Sequence, residues 1–253
     1  MPALYDHPSY YEIAFSFRSI PNEVDLFEEC FRRFSKIPVK TVLELGCGNS
    51  PHMEELAKRG YRYTGFDLNP AMLEYSRDKA KRLGIETTLI EGDMRDFNLG
   101  SPADFVYIML GSLYVANTEE LKSHFDSVAR ALKKGGLYLM DWCLHTAPSP
   151  AVQDSWEEER DGIRVKTTFL SNPVSLIEQT FEDTIVLEVD DHGNKLTLTQ
   201  QGIKRAIYPQ EFLTFINGRQ DFEFVGWWND WDLDQPLEKA KDTSRPVALV
   251  RRT

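Results

Sequence analysis

Apolar positions follow two different periods along this chain, and the change falls near residue 150. Ile20, Val24, Phe27, Phe31 and Phe34 recur at steps of four, three, four and three. That is one face of a helix over 22–35, with Asn22 placed to cap it. Val42, Leu43 and Leu45 form a short apolar run that suits a strand buried on both faces. The run ends in Gly46-Cys47-Gly48, and Pro51 then opens a helix that Gly60 stops. A second strand, Tyr61 to Phe66, ends at Asp67. A helix over Ala71 to Leu83 stops at Gly84, and a third strand runs from Thr87 to Glu91. The stretch Ala103 to Leu110 contains FVYIML and breaks at Gly111-Ser112. Thr118 begins a helix, with Thr118 or Asn117 as its cap, that runs down to a Lys133-Lys134-Gly135-Gly136 turn and a strand over Leu137 to Trp142. Strands alternating with helices predict βαβ units and a parallel sheet.

Past Pro148 and Pro150 the period becomes two. Ile163, Val165, Thr167 and Phe169 alternate with polar residues, Ser171-Asn172-Pro173 reads as a turn, and Leu176 to Val189 and Lys195 to Gln201 continue as strands. Three antiparallel strands in succession predict a small meander inserted after the fifth strand. A helix over Pro209 to Ile216 and strands over Phe222 to Trp227 and Pro246 to Arg251 close the chain. The expected organisation is therefore residues 1–145 as an N-terminal segment and α/β core, 146–205 as a β cap, and 206–253 as the last helix and closing hairpin.

Composition narrows the picture in three ways. A hydrophobic fraction of 42% over 253 residues suffices for a full core. The net charge of −11 counts against a broad nucleic-acid footprint. Cys30, Cys47 and Cys143 are far apart and give neither a disulfide framework nor a metal pattern, so no metal and a reducing, cytoplasmic setting are expected. No apolar run has the length of a membrane span, and the first residues lack a secretory pattern.

The chemistry sits in Glu44-Leu45-Gly46-Cys47-Gly48 and in Gly65-Phe66-Asp67-Leu68-Asn69. Gly46 and Gly48 let a ligand approach the backbone, and an acid at the tip of the second strand lies in reach of a ribose diol. A dinucleotide turn would carry a third glycine three residues after Gly48, where this chain has Pro51. An NAD dehydrogenase is thereby disfavoured. The acid-flanked glycine pair resembles motif I of the class I S-adenosylmethionine (SAM) methyltransferases, and Asp67 matches that family's ribose acid. The resemblance covers most of the chain outside 150–205.

It implies a Rossmann-like seven-stranded sheet with helices on both faces, SAM as cofactor, and methyl transfer to nitrogen or oxygen of a small molecule. It further implies cofactor contacts from Tyr11 and Arg18 at the methionine end, Glu44, Gly46 and Gly48 at the turn, Asp67 and Leu68 at the ribose, and Asp93 and Met94 at the adenine. Met109, with the Leu110 to Tyr114 segment, is expected near the methyl group. Tyr114 and Trp142 are expected to meet the acceptor. Related sugar-amine enzymes often carry a histidine where this chain has Tyr114, so no catalytic residue is assigned. The cap is expected to enclose a small molecule or to pair two copies into a homodimer. A SAM-binding module without catalysis, and a tRNA or protein methyltransferase, stay open as other readings. The Trp227 to Asp232 cluster is expected to seal the cap.

Overall fold

The computed structural model describes residues 3–146 and 151–253. The break expected at Pro148 and Pro150 lies outside the described residues. Five strands are parallel neighbours: β1 (Thr41–Leu45), β2 (Arg62–Asp67), β3 (Thr88–Glu91), β4 (Ala103–Ile108) and β5 (Leu132–Asp141). With β10 (Phe222–Asn229) and β11 (Pro246–Arg252) they form a seven-stranded sheet in the order β10-β11-β5-β4-β1-β2-β3. β11 runs antiparallel to both of its neighbours, so the last hairpin closes one edge. The order reverses between β1 and β4, which opens a crevice at the carboxyl ends of these strands.

Both faces of the sheet are covered, which explains why β4 is buried at every position. On one face α2 (Ile20–Phe34) lays Val24 and Phe27 against Phe105 and Tyr107, with α3 (Met53–Lys58) beside it. On the other, α5 (Thr118–Ala131) and α6 (Pro209–Asn217) pack Phe125 and Phe212 around Tyr138. The stripe read from the sequence is therefore the contact face of α2. This helix begins two residues earlier than expected, because Pro21 suits its first turn; Asn22 lies inside it and Ser19 flanks it without a side-chain cap bond. Asn117 caps α5 through the Glu120 N–H at 2.9 Å. Asn69 caps α4 (Pro70–Leu83) through Met72 at 3.0 Å.

Two expected turns are strand instead. Lys133 to Gly136 lies within β5, where the pairing with β4 slips between Ala103 and Phe105. A Cβ on Gly136 would stand 2.4 Å from the Asp104 carbonyl oxygen, so the glycine permits a close strand approach rather than a turn. Ser171 to Pro173 lies within β7, and the chain reverses at residues 176–179 instead.

The cap has four strands where three were expected: β6 (Val152–Arg160), β7 (Ile163–Ser175), β8 (Thr180–Asp191) and β9 (Asn194–Arg205), antiparallel in that order. β6 hides from a hydropathy reading because it is an edge strand of mostly exposed charged residues, with Trp156 its partly buried aromatic. The N-terminal aromatic segment packs on this sheet. Leu4, Ile13 and Ala14 share a core with Val165, Leu187 and Leu198, and α1 (Pro8–Ala14) anchors it by Trp156 Nε1 donating to the Ala14 carbonyl at 2.6 Å. Glu12 then joins this segment to the main sheet layer, accepting from Tyr75 at 2.8 Å and Lys79 at 2.7 Å on α4.

Candidate active site

The carboxyl ends of β1, β2 and β4 open into a cavity of about 490 Å³ whose other wall is the cap. Of the residues singled out in the sequence, Tyr11, Gly46, Gly48, Asp67, Leu68, Asp93, Met94 and Tyr114 line it. Gly46 (φ +65°) and Gly48 (φ +50°) both hold left-handed backbone that L side chains adopt only under strain. A Cβ on Gly46 would stand 3.1 Å from Met94 Cε and 3.6 Å from Ser112 Cβ. The missing side chain thus leaves a cradle between the turn and the far wall.

Asp67 is fixed by the turn it faces. Its Oδ2 accepts from the Gly48 N–H at 2.7 Å and its Oδ1 from the Asn69 N–H at 2.8 Å. Burial nevertheless raises its pKa, outweighing these backbone donors. Each oxygen keeps acceptor capacity toward the cavity. Leu68 is 64% exposed and offers an apolar ledge beside the acid. Asp93 is already engaged: Arg95 donates to it from the backbone at 2.9 Å and from its guanidinium, which lowers the Asp93 pKa. Behind Met94, the His124 ring is held neutral, its pKa lowered to about 4 by burial. With His124 Nδ1 2.7 Å from the Met94 carbonyl and Nε2 2.8 Å from the Tyr138 hydroxyl, a neutral ring donates to the first and accepts from the second.

Four of the singled-out residues stand off the cavity wall. Met109 is 5% exposed and packs in the core with Tyr107. Trp142 is 49% exposed at the end of β5, in left-handed backbone (φ +57°). Glu44 lies beneath the glycine turn, 2% exposed, accepting from Tyr63 at 2.6 Å and Tyr107 at 3.0 Å. Arg18 donates to Glu23 at 2.5 and 3.1 Å. His52 links the two acids, with Nδ1 3.2 Å from Glu44 and Nε2 2.8 Å from Glu23.

This buried set has a consequence for stability. Burial alone would lower the His52 pKa, but Glu44 and Glu23 outweigh it and the net shift is upward. A histidine raised in the folded state contributes stability below its unfolded pKa of about 6.5 and loses it as pH rises through the folded value. The wild-type melting temperature is therefore expected to fall on raising pH from about 6.5, and His52→Gln is expected to flatten that slope. Parallel melting curves for the two proteins across this range would contradict the coupling.

The turn after β4 is tied to the closing hairpin. Leu110 (φ +54°) donates its N–H to Asp141 Oδ2 at 2.8 Å. Asp141, fully buried, also accepts from Trp231 Nε1 at 3.0 Å and from Arg245 at 2.6 and 2.8 Å. Arg245 lies over the Trp231 ring, 4.6 Å from its centroid. The Trp227 to Asp232 cluster thus braces the strand ends through Trp231, which packs toward Phe27 of α2 rather than sealing the cap.

The cap supplies wall residues that the sequence reading missed, among them Asp183, Ile185, Gln200 and Gly202; Tyr5 joins Tyr11 from the N-terminal segment. A glycine inside an alternating strand was the available signal. A Cβ on Gly202 would stand 2.8 Å from Tyr114 Cε1, so this glycine lets the cap close against the β4 turn. Burial of Tyr114 raises its pKa, and Tyr11 is pushed up to about 12 by the same cause. Among the described residues no cluster of metal-binding side chains is present, and no helix is long and apolar enough to cross a membrane.

Residues 42–136 match the model of a methyltransferase domain family. A curated relative, the dTDP-3-amino-3,4,6-trideoxy-α-D-glucopyranose N,N-dimethyltransferase of Streptomyces venezuelae, is 31% identical over 138 residues, 54% of this chain and 56% of the relative. The chain spans about half the length of this and a putative methyltransferase of Geobacillus, which is 26% identical over 53% of this chain and 57% of its own. Solved structures align over nearly the whole chain. A SAM-dependent methyltransferase from Clostridium acetobutylicum gives a TM-score of 0.76 at 18% identity, covering 96% of this chain and 95% of its own. SAM-bound CalS10, an amino pentose methyltransferase from Micromonospora echinaspora, gives 0.72 at 20% identity, covering 96% of each chain. By its strand order and its whole-chain likeness to these structures, the chain has the fold of the class I SAM-dependent methyltransferases, and a methyltransferase domain is matched within it over residues 42–136.

Proposed function

We propose that this protein is a SAM-dependent methyltransferase acting on an amine nitrogen of a small molecule. The observation that carries the reading is one cavity bounded by the glycine turn, by Asp67 and by the cap. Its size suits an enclosed small-molecule site. The open cradle at Gly46 and the acceptor capacity left on the Asp67 carboxylate fit the cofactor. Asp67 would hold the ribose hydroxyls, Leu68 and Met94 the adenine faces, and the Gly46 to Gly48 backbone the approach to the sulfur. We assign Tyr11 to the methionine end and Arg18, through Glu23 and His52, to the support of that end. Asp93 meets the adenine amino group only by sharing its carboxylate with Arg95.

When bound beside Gly46, Gly48 and Asp67, the cofactor would supply an electrophilic methyl group on a sulfonium for the acceptor nitrogen. The chain's own task is alignment and exclusion of water. Tyr5, Tyr11 and Tyr114 from the N-terminal segment and the β4 turn, with Ile185 from the cap, form the wall for that purpose. Amino-sugar relatives favour nitrogen over oxygen as the acceptor atom.

Transfer of label from methyl-labelled SAM tests the reading. A dTDP-linked amino sugar is expected to take the label, while its hydroxyl counterpart and bulk tRNA are expected not to. Label on tRNA and on no small amine would overturn it.

A further inference from the structure

At one end of the cavity an arginine stands between two acids, and all three residues, Asp93, Arg95 and Glu120, line the wall. Asp93 and Arg95 share the turn after β3, where the Asp96 N–H donates to the Asp93 carbonyl at 3.2 Å. Glu120 belongs to the first turn of α5. Four contacts from Arg95 occupy the Asp93 carboxylate. Its Oδ1 accepts from the Arg95 backbone N–H at 2.9 Å and from Nε at 3.0 Å. Its Oδ2 accepts from Nε at 2.9 Å and from Nη2 at 2.5 Å. A carboxylate has about four lone-pair sites, so Asp93 in this state has none to spare for a ligand.

The other acid is ready to take the arginine. Arg95 Nη1 lies 3.6 Å from Glu120 Oε1, close enough for an ion pair and too far for a hydrogen bond. Glu120 Oε2 accepts from the Ala116 N–H at 2.8 Å, which fixes the side chain. Among the described residues no hydrogen bond reaches Oε1. Arg95 is exposed and Asp93 partly so, and an ion pair in contact with water holds weakly. One guanidinium with two seats, one filled and one open, moves when a ligand competes for the filled one.

Resting on the proposed function, we propose that Arg95 is a displaceable plug of the adenine subsite and Glu120 is the seat that receives it. On cofactor binding the guanidinium passes from Asp93 to Glu120. Asp93 then takes an N–H of the 6-amino group on Oδ2, while its Oδ1 keeps the Arg95 backbone N–H. Arg95 also sets the choice of base. A carboxylate alone accepts from a 6-amino group and repels a 6-oxo group, whereas a guanidinium beside it can donate to that oxygen. The arginine therefore lowers the affinity for adenine and narrows its advantage over the 6-oxo base.

The test is calorimetric titration with S-adenosylhomocysteine and with its 6-oxo analogue, S-inosylhomocysteine. Arg95→Gln is expected to bind S-adenosylhomocysteine about twofold to fivefold more tightly than wild type and the analogue more weakly. Glu120→Gln, whose amide oxygen can still accept from Ala116, is expected to bind S-adenosylhomocysteine about twofold to fivefold more weakly. The double variant is expected to match Arg95→Gln, since without the arginine the seat has no use. A loss or no change of S-adenosylhomocysteine affinity in Arg95→Gln would overturn the proposal. So would an unchanged ratio of the two affinities in that variant, or a Glu120→Gln loss that persists in the double variant. Failure of S-adenosylhomocysteine to bind the wild-type chain would instead remove the methyltransferase reading on which the proposal rests.

Discussion

Replacing Asp67 with alanine is expected to weaken S-adenosylhomocysteine binding by about tenfold to a hundredfold, because charged hydrogen bonds worth about 1.5–3 kcal/mol are lost. The same change is expected to leave the fold intact. Asp67 closes the tip of β2, and its two bonds go to Gly48 and Asn69 at the surface of the cavity. Its pKa is raised by burial, so the charged form is less favourable in the fold than in the unfolded chain. For an acid the sign is that such a charge costs stability above its ordinary pKa of about 3.9. The free protein therefore holds a carboxylate that does not help it fold, as expected of a group kept for a ligand. Equal affinity in Asp67→Ala would remove the ribose assignment. A collapse of the melting temperature would show that Asp67 is structural.

The opposite pattern is expected at Asp141. This side chain has no exposure and accepts from Leu110, Trp231 and Arg245. Asp141→Ala would strip the nearer carboxylate from a largely buried guanidinium, leaving it Glu23 at 3.7 Å, and release the Leu110 N–H. Breaking a buried pair from one side costs about 3–5 kcal/mol. For a chain of this size that lowers the melting temperature by on the order of 10 °C. Because Leu110 opens the turn that leads to Gly111 and Tyr114, the acceptor side of the cavity should loosen with it. A melting temperature unchanged from wild type would mean that the brace across β4, β5 and β11 carries little.

These two acids also mark what the sequence reveals and what it hides. Asp67 was legible because a glycine pair, a helix and a strand precede it at a spacing that a parallel sheet turns into proximity. The β1 and β4 strands were legible for a related reason: buried on both faces, they read as largely apolar runs. Asp141 read only as a residue at a strand end, since its partners Trp231 and Arg245 lie 90 and 104 residues away. Arg18 and Glu44 are chemically suited to a ligand, yet they meet each other's neighbours, Glu23 and His52, before they meet the cavity. No local pattern reports such a choice of partner. β6 escaped because an edge strand carrying charge has no apolar period to read. Asp183 and Gln200 escaped because strand pairing, and not sequence spacing, brings β8 and β9 to the cavity wall.

The most direct test of the cofactor assignment is calorimetric binding of S-adenosylhomocysteine to the wild-type chain, with NAD as control. Tight binding of the first and none of the second is expected, since Gly46 and Gly48 leave the cradle and Pro51 stands where a dinucleotide turn has glycine. Binding of NAD alone, or of neither by a folded sample, would contradict the assignment of this cavity to SAM.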